Sequence, residues 1–569
     1  MTKTTKIILT MALGIFLCLL DTTVMNIALP AIQTGLSTNL TQLSWALNSY
    51  TILFASLTIP LGRVADLIGR TKIYVLGLGL FLVGSLSSGL AGNVDWLIFG
   101  RSIQSIGAAI VFPASMTIGI QAVPLAKRTT AIAMLGVTQG LASAMGPTIG
   151  GAVTQWFGWR GIFLINVPLV VIVLISCVWL LDWHGGQSDQ RQLDWLGSGL
   201  SMVTLGSLTL ALVKGSDWGW TSELILGLLG LSLLALIGFI VTEARVSQPM
   251  MPLALFKAHQ FNGAALMTVL SGIFLVALLV LMPSFFTKVQ NASELMAALM
   301  ITPASVMIFI FSPLSGVLLG KVGPRLVIAI GTIAMVGGYW QLTMMNPNVY
   351  WQVMLAAMLI GGGYGIIIGP ITVLAAADFT GALLTASQSV IGVFRQIGTS
   401  LAVAIFVSAL STNLVTAKQH IWRAAQANVA ELAISTQAKR DTLTQVKTQL
   451  ATEKTPTQTT KTFITPSKTK RLIAENEASV LQQPQLVQAP AAIKAQARAQ
   501  VRQKVTNSVA LTNQRIYSAV LKIKHQTKRE LTKAFIQPYQ RALLFTFVML
   551  LTIGLFDRRR DYLANSVSK

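Results

Sequence analysis

Charged side chains inside long apolar runs are the residues whose chemistry needs explaining. Asp21 is the first, in the middle of LCLLDTTVMNIALP. A carboxylate at the centre of a bilayer costs at least ~2.5 kcal/mol, so it must face a cavity or a partner. A buried carboxyl of this kind is a candidate for taking up and releasing a proton. The plainer alternative is a structural carboxylate held by neighbouring helices. Arg101 opens RSIQSIGAAIVFPAS, with Gln104 three residues on and therefore on the same helix face. Arginine stays protonated, so Arg101 cannot itself carry the proton. It can bias a nearby carboxylate, or simply snorkel to the headgroups. Arg395 and Gln396 lie in GVFRQIGTSLAVAIF, and nothing in the sequence names a partner for Arg395.

Two glycine patterns stand beside these charges. Gly62, Asp66, Gly69, Arg70 and Lys72 fall in one short loop. The glycines allow a tight turn, and Asp66 can cap a helix or pair with Arg70 across two halves of the molecule. Gly136 to Gly151 reads GVTQGLASAMGPTIGG. Gly136 and Gly140 share a helix face and let a second backbone approach closely. Gly146, Pro147, Gly150 and Gly151 follow, and the proline kinks the helix at a fixed point. No phosphate-cradling Gly-xxxx-Gly-Lys-Ser/Thr loop is present, and His184, His259, His420 and His525 are too scattered for a metal site. Cys18 and Cys177 fall inside apolar runs and imply no disulfide. The expectation is neither an enzyme nor an ATP-driven pump, with no cofactor and no metal.

The elements that must position these residues are membrane helices. The chain has 569 residues, 53% of them hydrophobic and only 11% charged, more apolar surface than a soluble protein of this length could cover. Spans are read at roughly 7–30, 44–62, 73–92, 96–121, 131–157, 161–182, 195–214, 222–242, 262–286, 295–318, 326–345, 350–376, 388–412 and 541–556, fourteen in all. Lys3, Lys6, Arg63, Arg70, Lys72, Lys127, Arg128, Lys321, Arg325 and Arg558 to Arg560 fall on one side, against little beyond Arg160, Lys214 and Lys288 on the other. That bias places both termini in the cytoplasm of a multi-pass protein of the cell membrane. The loop 62–70 recurs as Gly316 to Arg325, with Gly316 and Gly323 again seven apart. Two like-oriented halves with matching loops are what the parallel repeats of a transporter predict.

The pattern Gly-xxx-Gly then Gly-Pro-xx-Gly-Gly closely resembles the antiporter motif in the fifth helix of major facilitator superfamily exporters. Asp21, Thr23, Asn26, Ala28, Leu29 and Pro30 resemble the first-helix motif of its fourteen-helix drug:proton antiporters, the quaternary-ammonium and multidrug exporters. Arg101, Gln104 and Gly107 match their Arg-xx-Gln-xx-Gly pattern. Gly62, Asp66, Gly69, Arg70 and Lys72 match the superfamily's loop signature, and Arg395-Gln396 matches an Arg-Gln-x-Gly of the same group. Trp159 to Pro168 is another close match, read here as a structural outer turn anchored by Trp156 and Trp159. The resemblance covers about residues 7–410. It implies an all-α fold of two six-helix bundles plus two extra helices: 1–182, then an inserted pair at 183–242, then 243–412 completed by 541–569. It also implies proton-coupled export of hydrophobic or cationic drugs by alternating access, with the proton gradient as energy source. Asp21, Asn26, Arg101, Gln104 and Arg395 would then serve the proton and transport path. Gly62, Asp66, Gly69 and Arg70 would form a conformational latch. One departure matters: the tenth span, Thr302 to Phe309, is uncharged and Glu294 sits near its outer end, which favours neutral or singly charged amphipathic substrates. Rival readings are an exporter of an endogenous lipid or metabolite, and a membrane-anchored envelope-binding protein.

Residues 413–540 differ from the rest. They hold 20 Lys and Arg against 6 Asp and Glu, a net +14 of the chain's +23. By span count the segment is extracellular, and long loops escape the positive-inside rule. Helices are expected at 417–451 and 491–535, joined through a disordered linker rich in Pro, Thr and Gln. The charge suits anionic lipid or a cell-wall polymer. Given the membrane, nucleic acid is not an expected partner, and a monomer is the expected state.

Overall fold

Apolar runs of twenty residues or more leave the backbone one solution in a bilayer, a helix that satisfies every N–H and C=O within itself. The computed structural model describes residues 2–38, 40–124, 127–183, 194–246, 249, 251–432, 434, 436–451 and 463–562, and no strand occurs among them. The first six spans are α1 (Lys3–Gly35), α2 (Leu40–Ile68), α3 (Arg70–Gly89), α4 (Val94–Gln121), α5 (Arg128–Phe157) and α6 (Asn166–Leu180), the last entered through the single turn Gly161–Leu164. Two more follow, α7 (Trp195–Trp218) and α8 (Glu223–Arg245). The expected spacer before α7, 184–193, lies outside the described residues. The next five are α9 (His259–Lys288), α10 (Glu294–Val322), α11 (Pro324–Met344), α12 (Tyr350–Ala377) and α13 (Gly381–Ala402). Prolines inside α2, α4, α5, α9, α10 and α12 are tolerated because neighbouring helices compensate the freed backbone groups.

The chain divides into two compact units, and the larger comprises 1–284, 292–411 and 536–569. Within it α1, α2, α4, α5 and the turn Gly161–Leu164 share one apolar core, including Leu20, Ala28, Leu43, Leu97, Val153 and Phe163. The last span belongs to the second bundle. Tyr539 is fully buried, its ring 5.9 Å from Tyr339 and 6.0 Å from Phe406, and its hydroxyl donates to the Ala277 carbonyl at 3.2 Å. The packing of this span into the bundle therefore extends back past Arg541 to Ile536, within the helix Ala491–Thr546. The inserted α7 is tied to α2 by Lys214, whose ammonium lies 3.0 Å from Ser44 Oγ, 2.9 Å from Asp217 and 4.8 Å from the Trp45 ring centroid. Lys214 is thus buried in a helix, where the sequence placed it in an outer loop. Trp159 is likewise core, 6% exposed against Phe163, whereas Trp156 at 71% keeps the expected surface position.

The second unit comprises 285–291 and 412–535. Its helices are α14 (Ser408–Ala430), α15 (Thr436–Ala451), α16 (Pro466–Leu481), α17 (Pro484–Val487) and the unit's share of α18 (Ala491–Thr546). Ala425, Val429 and Ile523 form its small core, with Leu443 and Val446 against them. Asn413 Nδ2 donates to the Ala534 carbonyl at 3.3 Å, and His420 Nδ1 lies 3.3 Å from Glu530 Oε2. Two expectations are corrected here. The first helix is not continuous over 417–451 but ends at Ala430 and resumes at Thr436. The linker is not devoid of structure, because Thr465 caps α16 and Pro466 fills its first turn. The rest of the expected linker, 452–462, lies outside the described residues.

Candidate functional site

Asp21, on α1, is 4% exposed and Arg101, on α4, 1%. Arg101 Nη1 donates to Asp21 Oδ2 at 2.5 Å. Gln104 Nε2 donates to Asp21 Oδ1 at 2.9 Å and Asn166 Nδ2 to the same oxygen at 3.1 Å. All three partners donate, and an ionised carboxylate is acceptor-only, so the pocket fits the carboxylate form. Arg101 is itself over-determined. Its Nη1 also reaches Gln104 Oε1 at 2.7 Å, its Nε the Ala46 carbonyl at 3.4 Å, and its guanidinium carbon lies 4.2 Å from the Tyr50 ring centroid. Ser85 accepts from Gln104 at 2.7 Å and closes the network against α3. Asp21, Arg101 and Gln104 thus meet, and Arg101 does not snorkel to an interface. Asn26 shares α1 with Asp21, but its side chain lies outside the described residues.

Arg395 does not join that cluster. It lies on α13, and its guanidinium carbon is 5.9 Å from the ring centroid of Phe112 on α4, across the boundary between the bundles. Its Nε and Nη1 are buried and make no hydrogen bond among the described residues.

The loop after α2 joins the halves through Arg70. Arg70 Nε donates to Asp66 Oδ1 at 2.6 Å, Nη1 to Gln121 Oε1 at 2.5 Å and Nη2 to Thr385 Oγ1, on α13, at 2.9 Å. The Asp66–Arg70 pair is therefore local, not between halves, and Asp66 caps no helix; the bond that crosses is Arg70 to Thr385. Gly69 has φ +119°, a conformation costly for any residue with a Cβ. A Cβ on Gly62 would lie 2.7 Å from Ser389 Oγ, so this glycine too sits where α13 approaches.

Between the bundles runs α5. Gly136 faces Thr372 of α12, Gly140 faces Ile308 of α10 and Ile368 of α12, and Gly151 faces Ala298 of α10. Gly146 and Gly150 face the other way, onto Thr23 and Val24 of α1. Pro147 lies inside the helix beside Gly146. Near this end Thr148 and Thr302 hydroxyls lie 2.8 Å apart. The halves therefore touch both at the Thr302 end and at the Thr385 end.

A family model described as Major Facilitator Superfamily matches residues 11–403. The chain belongs to the Major Facilitator Superfamily. The multidrug resistance protein Stp of Mycobacterium tuberculosis is 31% identical over 421 residues, covering 72% of this chain and 77% of that protein. The methylenomycin A resistance protein of Bacillus subtilis is 31% identical over 412 residues, covering 70% and 86%. Among solved structures, the human organic anion transporter MFSD10 (TETRAN) aligns with a TM-score of 0.51 at 13% identity, over 72% of this chain and 93% of that one; this likeness concerns the fold. The protein is a multi-pass membrane transporter with the superfamily's helical architecture, and most of the basic unit lies beyond the matched residues.

Within this superfamily frame, the residue that sequence reasoning missed is Asn166. Its place in a turn-like motif suggested structure alone, yet it binds Asp21. Tyr50 and Ser85, also on the network, carried no signal in the sequence, since hydroxyls are common in membrane helices.

Proposed function

We propose that this transporter exports amphipathic small molecules, antibiotics among them, across the cell membrane in exchange for protons. Its kinship with resistance proteins supports the cargo class. The observation that carries the coupling is Asp21, a buried carboxylate bound by Arg101, Gln104 and Asn166. Protonation would cancel its charge and turn one oxygen from acceptor to donor, releasing Arg101 and loosening α1 from α4 and α6. Gly146 and Gly150 link α1 to α5, and α5 reaches the second bundle through Gly140 and Gly151. That gives the change at Asp21 a packed route to the interface between halves. Arg395, with unused donors beside Phe112, meets the cargo or the proton's counter-charge. One proton entering down ~100 mV supplies ~2.3 kcal/mol, enough for a roughly fiftyfold gradient of a neutral solute. The basic short loops put both termini in the cytoplasm. The basic unit then faces the exterior, where its charge suits anionic lipid or wall polymers within ~8 Å at physiological salt.

The test is uptake by everted vesicles under an imposed pH gradient, with one neutral and one singly charged dye. Accumulation should follow the gradient and collapse on adding a protonophore. Uptake indifferent to the gradient would sink proton coupling while leaving export intact.

Arg70 is the second test. Arg70→Ala removes the bonds to Asp66, Gln121 and Thr385 together. Loss of the bond across the halves should release about 1.5–3 kcal/mol of bias toward closure at that end, slowing turnover roughly tenfold with substrate binding changed less than about threefold. Thr385→Val, which deletes only the crossing bond, should reproduce part of the effect. Unchanged turnover in both would reduce the loop to a topological anchor.

A further inference from the structure

The unit formed by 285–291 and 412–535 carries a cavity of about 1270 Å³. That exceeds the ~300–1,000 Å³ typical of sites for drug-sized ligands. Its walls come from the start of α15, from α16 and α17, and from the first half of α18. The unit's small core sits elsewhere, around Ala425, Val429 and Ile523, and α16 and α17 contain no buried residue. Of their apolar side chains, Leu472, Val480 and Leu486 line the cavity. On α18, Val501, Val505 and Val509 stand four apart and make one apolar stripe along it. Leu472 and Val480 face the same space from α16.

The charged residues that line this cavity have one sign, while the acids on its wall helix α16, Glu475 and Glu477, are paired with Arg471 and Arg502. Among the described residues two lysines, Lys439 and Lys504, line it and no aspartate or glutamate does. Lys439 is engaged with the Ala430 carbonyl at 2.7 Å; Lys504 is exposed beside Val501 and Val505. An apolar stripe about 12 Å long, at 1.5 Å per residue, with a cation beside it, is complementary to one chemistry: a chain of methylenes ending in an anion. A wall polyanion would use the lysines but not the stripe. A cationic drug would use the stripe but be repelled by the lysines and by the net +14 of 413–540. We propose that this cavity binds a long-chain fatty acid, its chain along Val501, Val505 and Val509 and its carboxylate at Lys504. The site is separate from Asp21 and Arg395 and does not depend on proton-driven transport.

The experiment uses the full-length protein in zwitterionic nanodiscs and a palmitate analogue carrying a photoreactive diazirine. After illumination, the labelled peptides are mapped by mass spectrometry. Labelling within 464–512 should be saturable and removed by excess palmitate. Hexadecyltrimethylammonium, with an equal chain and opposite charge, should compete at least about tenfold less well. Octanoate should also compete at least about tenfold less well, since each buried methylene is worth roughly fourfold. Lys504→Gln, at an exposed position that leaves the stripe intact, should weaken palmitate competition about fivefold and leave hexadecanol competition unchanged. Val505→Asp should abolish the saturable label. Labels confined to the membrane helices, equal competition by the cationic amphiphile, or displacement by an acidic polymer with no dependence on chain length would each overturn the assignment.

Discussion

Asp21→Asn is expected to reduce gradient-driven transport by roughly 10²-fold or more, the order of loss seen when a positioned proton-transfer group is removed. The substitution also leaves the Arg101 guanidinium buried with its counter-charge gone, which costs about 3–5 kcal/mol. A lower unfolding temperature of the single variant would therefore say nothing about the proton. The double variant Asp21→Asn, Arg101→Gln separates the two effects. With both charges removed, the substituted side chains can still exchange amide hydrogen bonds with Gln104 and Asn166, and thermal stability should return to near the parent's. Transport should not return. If the double variant pumps against the gradient at the parental rate, Asp21 is a structural carboxylate and the coupling proton travels elsewhere.

The second large effect is expected from Gly146→Val. A Cβ there would overlap Thr23 Oγ1 and Cβ, and the Thr23 hydroxyl is already bonded to the Leu20 carbonyl at 2.9 Å. Threonine is β-branched and stiff at χ1, so the backbones of α1 and α5 must part. Overpacking of this kind costs typically ~1–3 kcal/mol. Since α5 also packs on the second bundle, transport should fall to background even where the protein remains inserted. Adding Thr23→Ala, which removes the nearest obstructing atom, should recover part of the loss. Gly227→Val on α8, where a Cβ meets nothing within 4 Å, is the matched control and should transport normally. Parental transport by Gly146→Val would mean α1 and α5 need not stay in close contact.

Why the sequence reveals some of this and hides the rest follows from the range of each interaction. Apolar runs and loop glycines are local signals, and the first twelve spans they give agree with the helices to within about six residues, whereas 388–412 and 541–556 differ from the helices Gly381–Ala402 and Ala491–Thr546 by ten residues or more at one end. Arg101 and Gln104 are three apart, so their common face is legible. Asn166 lies 145 residues from Asp21 and Thr385 lies 315 from Arg70; only the folded bundle brings them together, and nothing local marks an amide or a hydroxyl as a partner. The helix α16 was legible in principle, since Thr465-Pro466 is a cap followed by a first-turn proline. The surrounding Pro and Thr content outweighed it. That residues 285–291 join the basic unit is a matter of packing, and an apolar span gives no hint of it.

The contacts at the two ends of the bundle differ in kind, and this difference sets an order of events. At the Thr302 end the polar tie between the halves is a pair of neutral hydroxyls, worth about 0.5–1.5 kcal/mol. At the Thr385 end it is a bond from a guanidinium, worth about 1.5–3 kcal/mol. A gap of about 1.4 kcal/mol is a tenfold ratio of populations, so the empty carrier breathes more often at the Thr302 end. On the proposed topology that end is the exterior. On the same proposal, opening at that end would bring Asp21 to the medium from which protons arrive before the drug, coming from within, reaches its site. On the proposed exchange of protons for drug, loading would be sequential, proton before cargo, with the order set by the ties of Thr302 and Arg70 rather than by either ligand's affinity.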